Sequence, residues 1–314
     1  MTLCKKLTIF EGVDGSGKST AAKAYAAATG AIYTHFPALP NVKQGLARLY
    51  LEAMLPALLG YKDVVFDRCW MSEKPYGAVF REGKLRLDEA DVAMLERVAM
   101  RCQTAVVYCE TDQNTMRTNF ATRNTLGGEY LRNTDQWEQV FGHYTFARGQ
   151  SQLPTIRYDY QKSDVQTLLK WLDGFGTAAH LVAQPTVGNR EAEVCLVGEA
   201  FAERKDQDPW HQWPFVSFSR QGCSHWLAEY LLAHKIDEAE LSWANADFDL
   251  KHLGLKAKVY IALGASAAKA LEEADLPYIL VPHPQHQKRF NNHADYVLAA
   301  RLRAVLKHSL AEPA

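Results

Sequence analysis

Eight residues near the start of the chain have the types and spacing of a phosphate-binding loop. An apolar stretch, residues 7–10, precedes them, and an alanine-rich segment beginning at Thr20 follows. A strand, a glycine loop and a helix in this order turn backbone amides towards phosphate groups, with Lys18 reaching the β- and γ-phosphates and Ser19 binding Mg²⁺. We therefore predict that residues 12–20 bind ATP with Mg²⁺. The loop itself (the phosphate loop) is Gly12-Val13-Asp14-Gly15-Ser16-Gly17-Lys18-Ser19, which matches G-x-x-x-x-G-K-S/T at every required position.

The composition indicates a globular chain with room for two domains. It has 314 residues, of which 47% are hydrophobic and 23% charged, and a formal net charge of −1. This balance gives no general electrostatic reason to expect nucleic-acid binding, although a local basic groove is compatible with it. The six cysteines have neither C-x-x-C nor zinc spacing, the N-terminus has no signal-peptide pattern, and no apolar run approaches about 18 residues. We therefore expect a cytoplasmic protein without a membrane span.

Strand-like and helix-like segments alternate along the chain, which predicts an α/β fold. A stretch rich in Gly, Pro, Thr and Ala, residues 177–190, interrupts this alternation and is the best candidate for a linker. We expect a P-loop-type parallel-sheet domain in residues 1–176 and a second α/β domain in residues 191–314. The predicted strands are 64–66, 105–108, 155–158, 194–198, 259–263 and 278–282. The predicted helices are 85–101, 164–172, 225–234, 266–274 and 292–309.

Two charged residues, Asp67 and Arg68, follow the predicted strand 64–66. An acidic residue at the end of a buried strand can hold Mg²⁺ or accept a proton from an acceptor hydroxyl. An adjacent guanidinium can bind a phosphate group through two hydrogen bonds. The pair can equally cap the end of the strand, and the two residues alone do not decide between these interpretations.

The chain from residue 1 to about residue 175 resembles thymidylate kinases. The resemblance rests on residues 10–20, Phe36-Pro37, Asp67-Arg68 followed by Ser72 and Tyr76, Arg117 and Arg123 in a lid-like region, and Tyr158-Asp159. It implies phosphoryl transfer from ATP, with a Mg²⁺ site at Ser19 and Asp67. Asp14 and Glu11 are alternatives to Asp67 as the proton acceptor. Thymidylate kinases often dimerise, which makes a homodimer an expectation. The catalytic residues that the resemblance implies are Lys18, Asp67, Arg68, Arg117 and Arg123.

The residues in the positions that bind the phosphoryl acceptor in thymidylate kinases depart from the pattern of that family. Thymidylate kinases usually carry an arginine soon after the phenylalanine-proline pair, where this chain has Ala38-Leu39-Pro40-Asn41. Lys74-Pro75-Tyr76 stands where an alanine-tyrosine-glutamine sequence is common. The resemblance therefore supports binding of the donor more strongly than binding of free thymidine monophosphate.

Residues 194 to about 306 resemble the uracil-DNA glycosylase superfamily. By this resemblance Phe215 stacks a pyrimidine that is flipped out of DNA, Asn245 reads its Watson–Crick edge and His283 lies near its O2 atom. Glu199 and Asp206 lie in the loop that carries the water-activating carboxylate in that family, although the usual sequence is not clearly kept. Each motif is common on its own, and the resemblance rests on their order, which is Gly198-Glu199-Ala200, Phe215, Asn245, Leu263-Gly264 and His283-Pro284.

The two resemblances together imply that the acceptor is a base within DNA. The combination is similar to bacteriophage 5-hydroxymethyluracil DNA kinases, which implies phosphorylation of the hydroxymethyl group of that base. DNA containing a modified pyrimidine is then the partner, and the cytoplasm of a host cell is the location. Two alternatives stay open. One is a deoxynucleoside monophosphate kinase for TMP or hydroxymethyl-dUMP. The other is a glycosylase-like repair or DNA-binding module with regulatory ATP binding.

Overall fold

The structure, a computed structural model, describes residues 4–37, 45–124, 131–147, 151–174, 186–199, 214–216, 222–289 and 294–309. These residues form two compact units. The first unit comprises residues 4–88 and 102–174, and the second comprises residues 89–101 and the described residues from 186 onwards. Residues 89–101 therefore group with the second unit, although their sequence position lies inside the predicted first domain, 1–176.

The first unit is built on a five-stranded parallel sheet. Its strand order is β2-β3-β1-β4-β5, so β1 is central and pairs with both β3 and β4. Residues of β1 and β3 are buried on both faces, which is typical of a parallel sheet covered by helices on each side. The strands are β1 (Lys6–Glu11), β2 (Ile32–His35), β3 (Val64–Asp67), β4 (Gln103–Cys109) and β5 (Thr155–Tyr158).

Seven helices lie between the start of the chain and residue 174 in the described ranges. Helices α1 and α7 bury apolar side chains against one face of the first sheet, around Phe10, Val65 and Val107. The fourth helix belongs to the second unit, and the other six belong to the first. The helices are α1 (Lys18–Thr29), α2 (Leu46–Leu58), α3 (Glu73–Phe80), α4 (Glu89–Ala99), α5 (Gln113–Asn124), α6 (Thr134–Ala147) and α7 (Val165–Gly174).

The topology of the first sheet places a crevice at the carboxyl ends of its central strands. The connection after β1 leads to β2 on one side of the sheet, and the connection after β4 leads to β5 on the other side. In parallel sheets, ligands bind in the crevice between two neighbouring strands whose connections run in opposite directions. The register pairs Glu11 with Tyr108 and Phe10 with Asp67. The phosphate loop and the residues after β3 therefore meet at the same edge of the sheet.

The second unit contains another five-stranded sheet, with the order β10-β9-β7-β8-β6. The short strand β6 pairs antiparallel with β8, and the other pairings are parallel. Gly198 at the end of β7 is in register with Asn245 at the end of β8. The strands are β6 (Val187–Gly188), β7 (Val194–Gly198), β8 (Leu241–Asn245), β9 (Val259–Leu263) and β10 (Tyr278–Val281). Its further helices are α8 (Cys223–Ala233), α9 (Ala265–Glu273), α10 (Pro284–Arg289) and α11 (Leu298–Ser309).

The predicted α/β architecture and all six predicted strands are confirmed, but the helix bounds differ. The helix predicted over 85–101 spans Glu89–Ala99, and the one predicted over 292–309 begins only at Leu298. The late start has a physical cause, because the Tyr230 hydroxyl accepts a hydrogen bond from the Ala299 amide and so serves as a partner for the first turn. Strands β2, β6 and β8 were not predicted.

Part of the predicted linker lies outside the described residues. Residues 177–185 of that stretch are not described, whereas Val187–Gly188 form strand β6 of the second sheet. In the described parts of the chain, no helix is long and apolar enough to cross a membrane.

Truncating a side chain at the buried centre of the second sheet should destabilise the protein far more than truncating one at the edge of the sheet. Leu196 on β7 is fully buried, whereas Leu280 on the edge strand β10 is 55% exposed. We expect Leu196→Ala to lower the free energy of unfolding by about 2–5 kcal/mol, and Leu280→Ala to change it by less than about 0.5 kcal/mol. Urea denaturation followed by circular dichroism measures both values. Equal losses in the two variants would contradict this account of the sheet.

Candidate active site

The phosphate loop has the backbone geometry that its sequence predicts. It connects β1 to α1, which begins at Lys18. Gly15 has a φ of 90°, and an added Cβ there would lie 2.2 Å from the Met116 carbonyl oxygen, so no other residue fits. The Ser16 hydroxyl is buried and has no hydrogen-bond partner among the described residues. Such an orphaned donor suits a phosphate oxygen.

Asp14 lies at the centre of a cluster of charged and polar side chains. Its carboxylate accepts hydrogen bonds from Lys18 Nζ at 3.1 Å and from the Tyr76 hydroxyl at 2.7 Å, and it pairs with the Arg68 guanidinium. Burial alone would raise the pKa of Asp14, but the charges of Arg68 and Lys18 outweigh it and hold the pKa well below its usual range. Asp14 is therefore ionised and neutralises two cations beside the loop.

Arg68 is held in an unusual backbone conformation. Its φ is 74°, which costs a non-glycine residue on the order of 1–3 kcal/mol and persists only where neighbouring contacts impose it. The Arg68 amide donates to the Phe10 carbonyl at 2.9 Å, and its guanidinium donates to the Tyr144 hydroxyl at 3.2 Å and lies over the Tyr76 ring. These contacts aim the guanidinium at the phosphate loop.

Glu11 is fully enclosed beneath this cluster. It accepts hydrogen bonds from the Cys69 amide at 2.7 Å, from the Ser72 hydroxyl at 3.0 Å and from the Tyr144 hydroxyl at 3.0 Å. Burial raises the pKa of Glu11, although Arg68 opposes this. With these partners filling its environment, Glu11 acts as an anchor for the turn after β3.

Asp67 differs from the other two carboxylates because one of its oxygens is unused. Oδ2 accepts from the Tyr33 hydroxyl at 2.6 Å and is 2.9 Å from His35 Nδ1, whereas the buried Oδ1 has no hydrogen-bond partner among the described residues. Burial would raise the pKa of Asp67, but Lys18, the Tyr33 hydroxyl and the Ser19 hydroxyl lower it. An ionised carboxylate with one open oxygen close to Ser19 fits a hard cation such as Mg²⁺.

The described residues contain no group of three or more His, Cys, Asp or Glu side chains that could hold a metal ion. A cation at Asp67 and Ser19 would therefore need phosphate oxygens and water as its remaining ligands. This is the usual manner in which Mg²⁺ is bound together with a nucleotide.

A cavity of about 450 Å³ adjoins the phosphate loop, a size typical of small-molecule sites. Asn119 supports its wall by donating to the Gly15 carbonyl at 3.1 Å and to the Tyr160 hydroxyl at 2.8 Å. Arg123 lines the cavity, whereas Arg117 forms a half-exposed ion pair with Glu138 at 3.3 Å and does not line it. The lining residues include Gly15, Gly17, Thr20, Ala21, Asn119, Arg123, Tyr158 and Tyr160.

The second unit brings Phe215 and Asn245 together at the carboxyl end of β7. An ideal Cβ on Gly198 would lie 2.6 Å from the Phe215 ring and 2.7 Å from Asn245 Oδ1, so the glycine allows both to approach. Asn245 is buried, and the Phe215 ring packs on Trp243 with the ring centroids 4.9 Å apart. An aromatic ring thus lies beside a carboxamide at this sheet edge.

His283 lies beside Glu199 at the same edge of the second sheet. Its Nε2 is 3.9 Å from Glu199 Oε2. Burial lowers the pKa of His283, although Glu199 opposes this, so the imidazole is largely neutral near pH 7. Asp206, the other carboxylate considered from the sequence, lies outside the described residues.

No protein-family model matches this chain, and no curated protein matches it. Among solved structures, the YorR protein from Bacillus subtilis in complex with phosphorylated GDP is 19% identical, with a TM-score of 0.43 over 56% of this chain and 99% of that one. Deoxyadenosine kinase from M. mycoides with bound dCTP is 21% identical, with a TM-score of 0.34 over 54% of this chain and 96% of that one. At these identities and TM-scores, the likeness carries no inference about the activity or the substrate of this chain.

Several residues of the first site were not predicted from the sequence. Tyr144 and Trp137 lie on α6, and the Trp137 indole donates to the Asp14 carbonyl at 2.7 Å. Tyr33 and His35 lie on β2, a short edge strand without clear alternation. Aromatic residues on α6 were the available signal, but their spacing also suits an ordinary core helix.

Asp14 should contribute stability at neutral pH and lose that contribution in acid. Its pKa in the folded protein lies below the ordinary value of 3.8, so its stabilisation is complete well above pH 3.8 and is lost as the pH falls towards the folded pKa. Between pH 5 and pH 3 we expect the free energy of unfolding to fall by about 1 kcal/mol more in the wild type than in Asp14→Asn. Urea denaturation at a series of pH values measures this difference. Identical pH dependence in the two proteins would be evidence against the ion pairs.

Proposed function

We propose that this protein is an ATP-dependent kinase that phosphorylates the hydroxymethyl group of 5-hydroxymethyluracil in DNA. The observation that carries the proposal is the presence, in one chain, of two kinds of site. One is a phosphate loop with buried cations. The other is a sheet edge where Phe215 and Asn245 converge on Gly198. The first suits a nucleoside triphosphate, and the second suits a planar base with hydrogen-bonding edges.

Donor binding is supported by the cluster around Asp14. Lys18 can turn from Asp14 to the β- and γ-phosphates without leaving a buried charge alone, because Asp14 keeps Arg68 and Tyr76 as partners. Loop amides and the Ser16 hydroxyl would bind further phosphate oxygens. Arg68 and Arg123 would stabilise the charge on the transferring group. Mg²⁺, held by Ser19 and Asp67, would neutralise phosphate charge when bound.

The acceptor chemistry requires a group that takes a proton. The hydroxymethyl oxygen attacks the γ-phosphorus, the bond to the β–γ bridging oxygen breaks, ADP leaves, and the hydroxyl proton must go to a base. Asp14 is a poor base because its pKa is held low by two cations, and Glu11 is enclosed by its hydrogen bonds. The pKa of Asp67 is lowered as well, but its Oδ1 has no hydrogen-bond partner among the described residues, so Asp67 is the best-supported acceptor. In that role it would leave Mg²⁺ to Ser19, phosphate oxygens and water.

Base recognition is supported by the groups at the second sheet edge. Phe215 offers a ring for stacking and Asn245 offers a carboxamide that can both donate and accept hydrogen bonds. A largely neutral His283 can donate to a pyrimidine carbonyl oxygen without placing a charge against the base. Retained glycosylase activity is the alternative at this site, with Glu199 as the carboxylate.

The acceptor can be tested directly with γ-labelled ATP. We expect label to enter DNA that contains 5-hydroxymethyluracil, with none entering ordinary DNA, TMP or hydroxymethyl-dUMP. Lys18→Ala should reduce transfer by at least about a hundredfold, because it removes a charge from the developing transition state. Label confined to free monophosphates would replace the proposal with a nucleotide kinase, and abasic sites formed without ATP would favour a glycosylase.

The base-reading role of Asn245 predicts a selective defect. Asn245→Ala should weaken discrimination between hydroxymethyluracil DNA and the same duplex with 5-hydroxymethylcytosine by at least about tenfold, since the two bases differ at the Watson–Crick edge and a lost base contact costs on the order of 1–3 kcal/mol. Competition binding with the two duplexes measures the ratio. Ser242→Ala, on the same strand but buried against the Val194 carbonyl, is the matched control. Unchanged discrimination in Asn245→Ala would remove this residue from the proposed site.

A further inference from the structure

Arg97 on α4 is a buried arginine with three different partners in the second unit. Only 1% of its surface is exposed. Its Nε and NH2 groups form a two-point ion pair with the equally buried Glu238, with NH2 2.9 Å from Oε1. The guanidinium also lies over the Trp243 ring at 4.2 Å. Two hydrogen bonds and a stacking contact fix the plane of this guanidinium.

The remaining nitrogen of Arg97 binds the backbone of Phe215. NH1 donates to the Phe215 carbonyl oxygen at 3.1 Å. Phe215 has a φ of 56°, a left-handed conformation that a bulky residue adopts only where its surroundings impose it. The Phe215 ring packs on Trp243, which is the same ring that Arg97 covers. Arg97 therefore contacts both the backbone of Phe215 and the surface that supports its side chain.

We propose that Arg97 is a positioning residue for Phe215, and that Glu238 holds Arg97 in the required orientation. The role of the positioned ring, stacking on a base, rests on the function proposed above. The position of the ring bears on base recognition because the Phe215 ring edge and Asn245 Oδ1 both lie close to Gly198. A shift of the Phe215 backbone would move the ring away from the carboxamide that reads the base.

The place of Arg97 in the sequence strengthens this assignment. Helix α4 lies between β3 and β4 of the first sheet in chain order, yet it packs against α8 and β6 of the second unit. The first half of the sequence thus supplies a residue to the second unit. The carboxyl-terminal half alone, from residue 186 onwards, lacks the group that fixes Phe215.

The test compares Arg97→Met with a variant that disturbs the same unit elsewhere. Leu271→Ala truncates a fully buried side chain on α9, in a core cluster that includes no residue of α4, and serves as the control for lost stability. In full-length protein, at a temperature where both variants are folded by circular dichroism, we expect Arg97→Met to weaken binding of hydroxymethyluracil DNA by about tenfold, the value of one stacking contact. Leu271→Ala should keep the wild-type affinity, and Arg97→Lys should restore part of it. Unchanged affinity in Arg97→Met, or an equal loss in Leu271→Ala, overturns the proposal.

A second measurement does not depend on the identity of the ligand. With 4-fluorophenylalanine incorporated at position 215, the ¹⁹F resonance reports the surroundings of the ring in the free protein. We expect Arg97→Met to shift or broaden this resonance, and Leu271→Ala to leave it near the wild-type position. If wild-type protein fails to bind hydroxymethyluracil DNA more tightly than the same duplex with thymine, the proposed function fails, and this resonance still decides the role of Arg97. The same resonance in Arg97→Met and wild type overturns it.

Discussion

The first site depends on one buried carboxylate, that of Asp14. Lys18, which is buried, and Arg68, which is largely buried, both lie against this carboxylate, and two uncompensated cations in such a poorly solvated place would be costly. Asp14 pairs with both, and Tyr76 and the Trp137 indole hold its carboxylate and its carbonyl. Arg68, whose φ is 74°, and Lys18 both direct their cationic groups at this carboxylate. Under the function proposed above, an incoming phosphate would replace Asp14 as the partner of Lys18.

A comparable constraint operates in the second unit, where one buried cation pairs with one buried carboxylate. Arg97 meets a single carboxylate, Glu238, and completes its hydrogen bonding with the Phe215 carbonyl. Removing either charge leaves the other buried and uncompensated, which costs about 3–5 kcal/mol in comparable pairs. Such a pair gives orientation more than stability, because its geometry admits one arrangement. In both units, therefore, a charged network includes or contacts a residue with a positive φ: Arg68 belongs to the first network, and the Phe215 carbonyl accepts a hydrogen bond from the second.

The features that could be predicted from the sequence are those encoded by neighbouring residues. The phosphate loop is contiguous, and the apolar strands are local patterns, so both were found. Tyr144 and Arg97 were missed because they contact Arg68 and Phe215 across 76 and 118 residues of chain, and a single sequence does not record such pairings. Strand β8 was missed although Asn245 at its end was found, since its five residues mix polar and apolar types. The late start of α11 depends on a hydroxyl from α8, which no local pattern reports.

The chain order of the two units has a consequence for folding. Helix α4 is synthesised before β4 and β5 of the first sheet, but the elements it packs against and the partners described for Arg97 lie in the chain from β6 onwards. Until those residues are made, α4 presents an apolar face and an unpaired arginine, which exposes the chain to misfolding. In the first unit β1 pairs with β4, although α4, which directly precedes β4 in the chain, belongs to the other unit. What the second unit receives in return is the Arg97 guanidinium, which donates to the Phe215 carbonyl and stacks on the Trp243 ring beneath the Phe215 side chain.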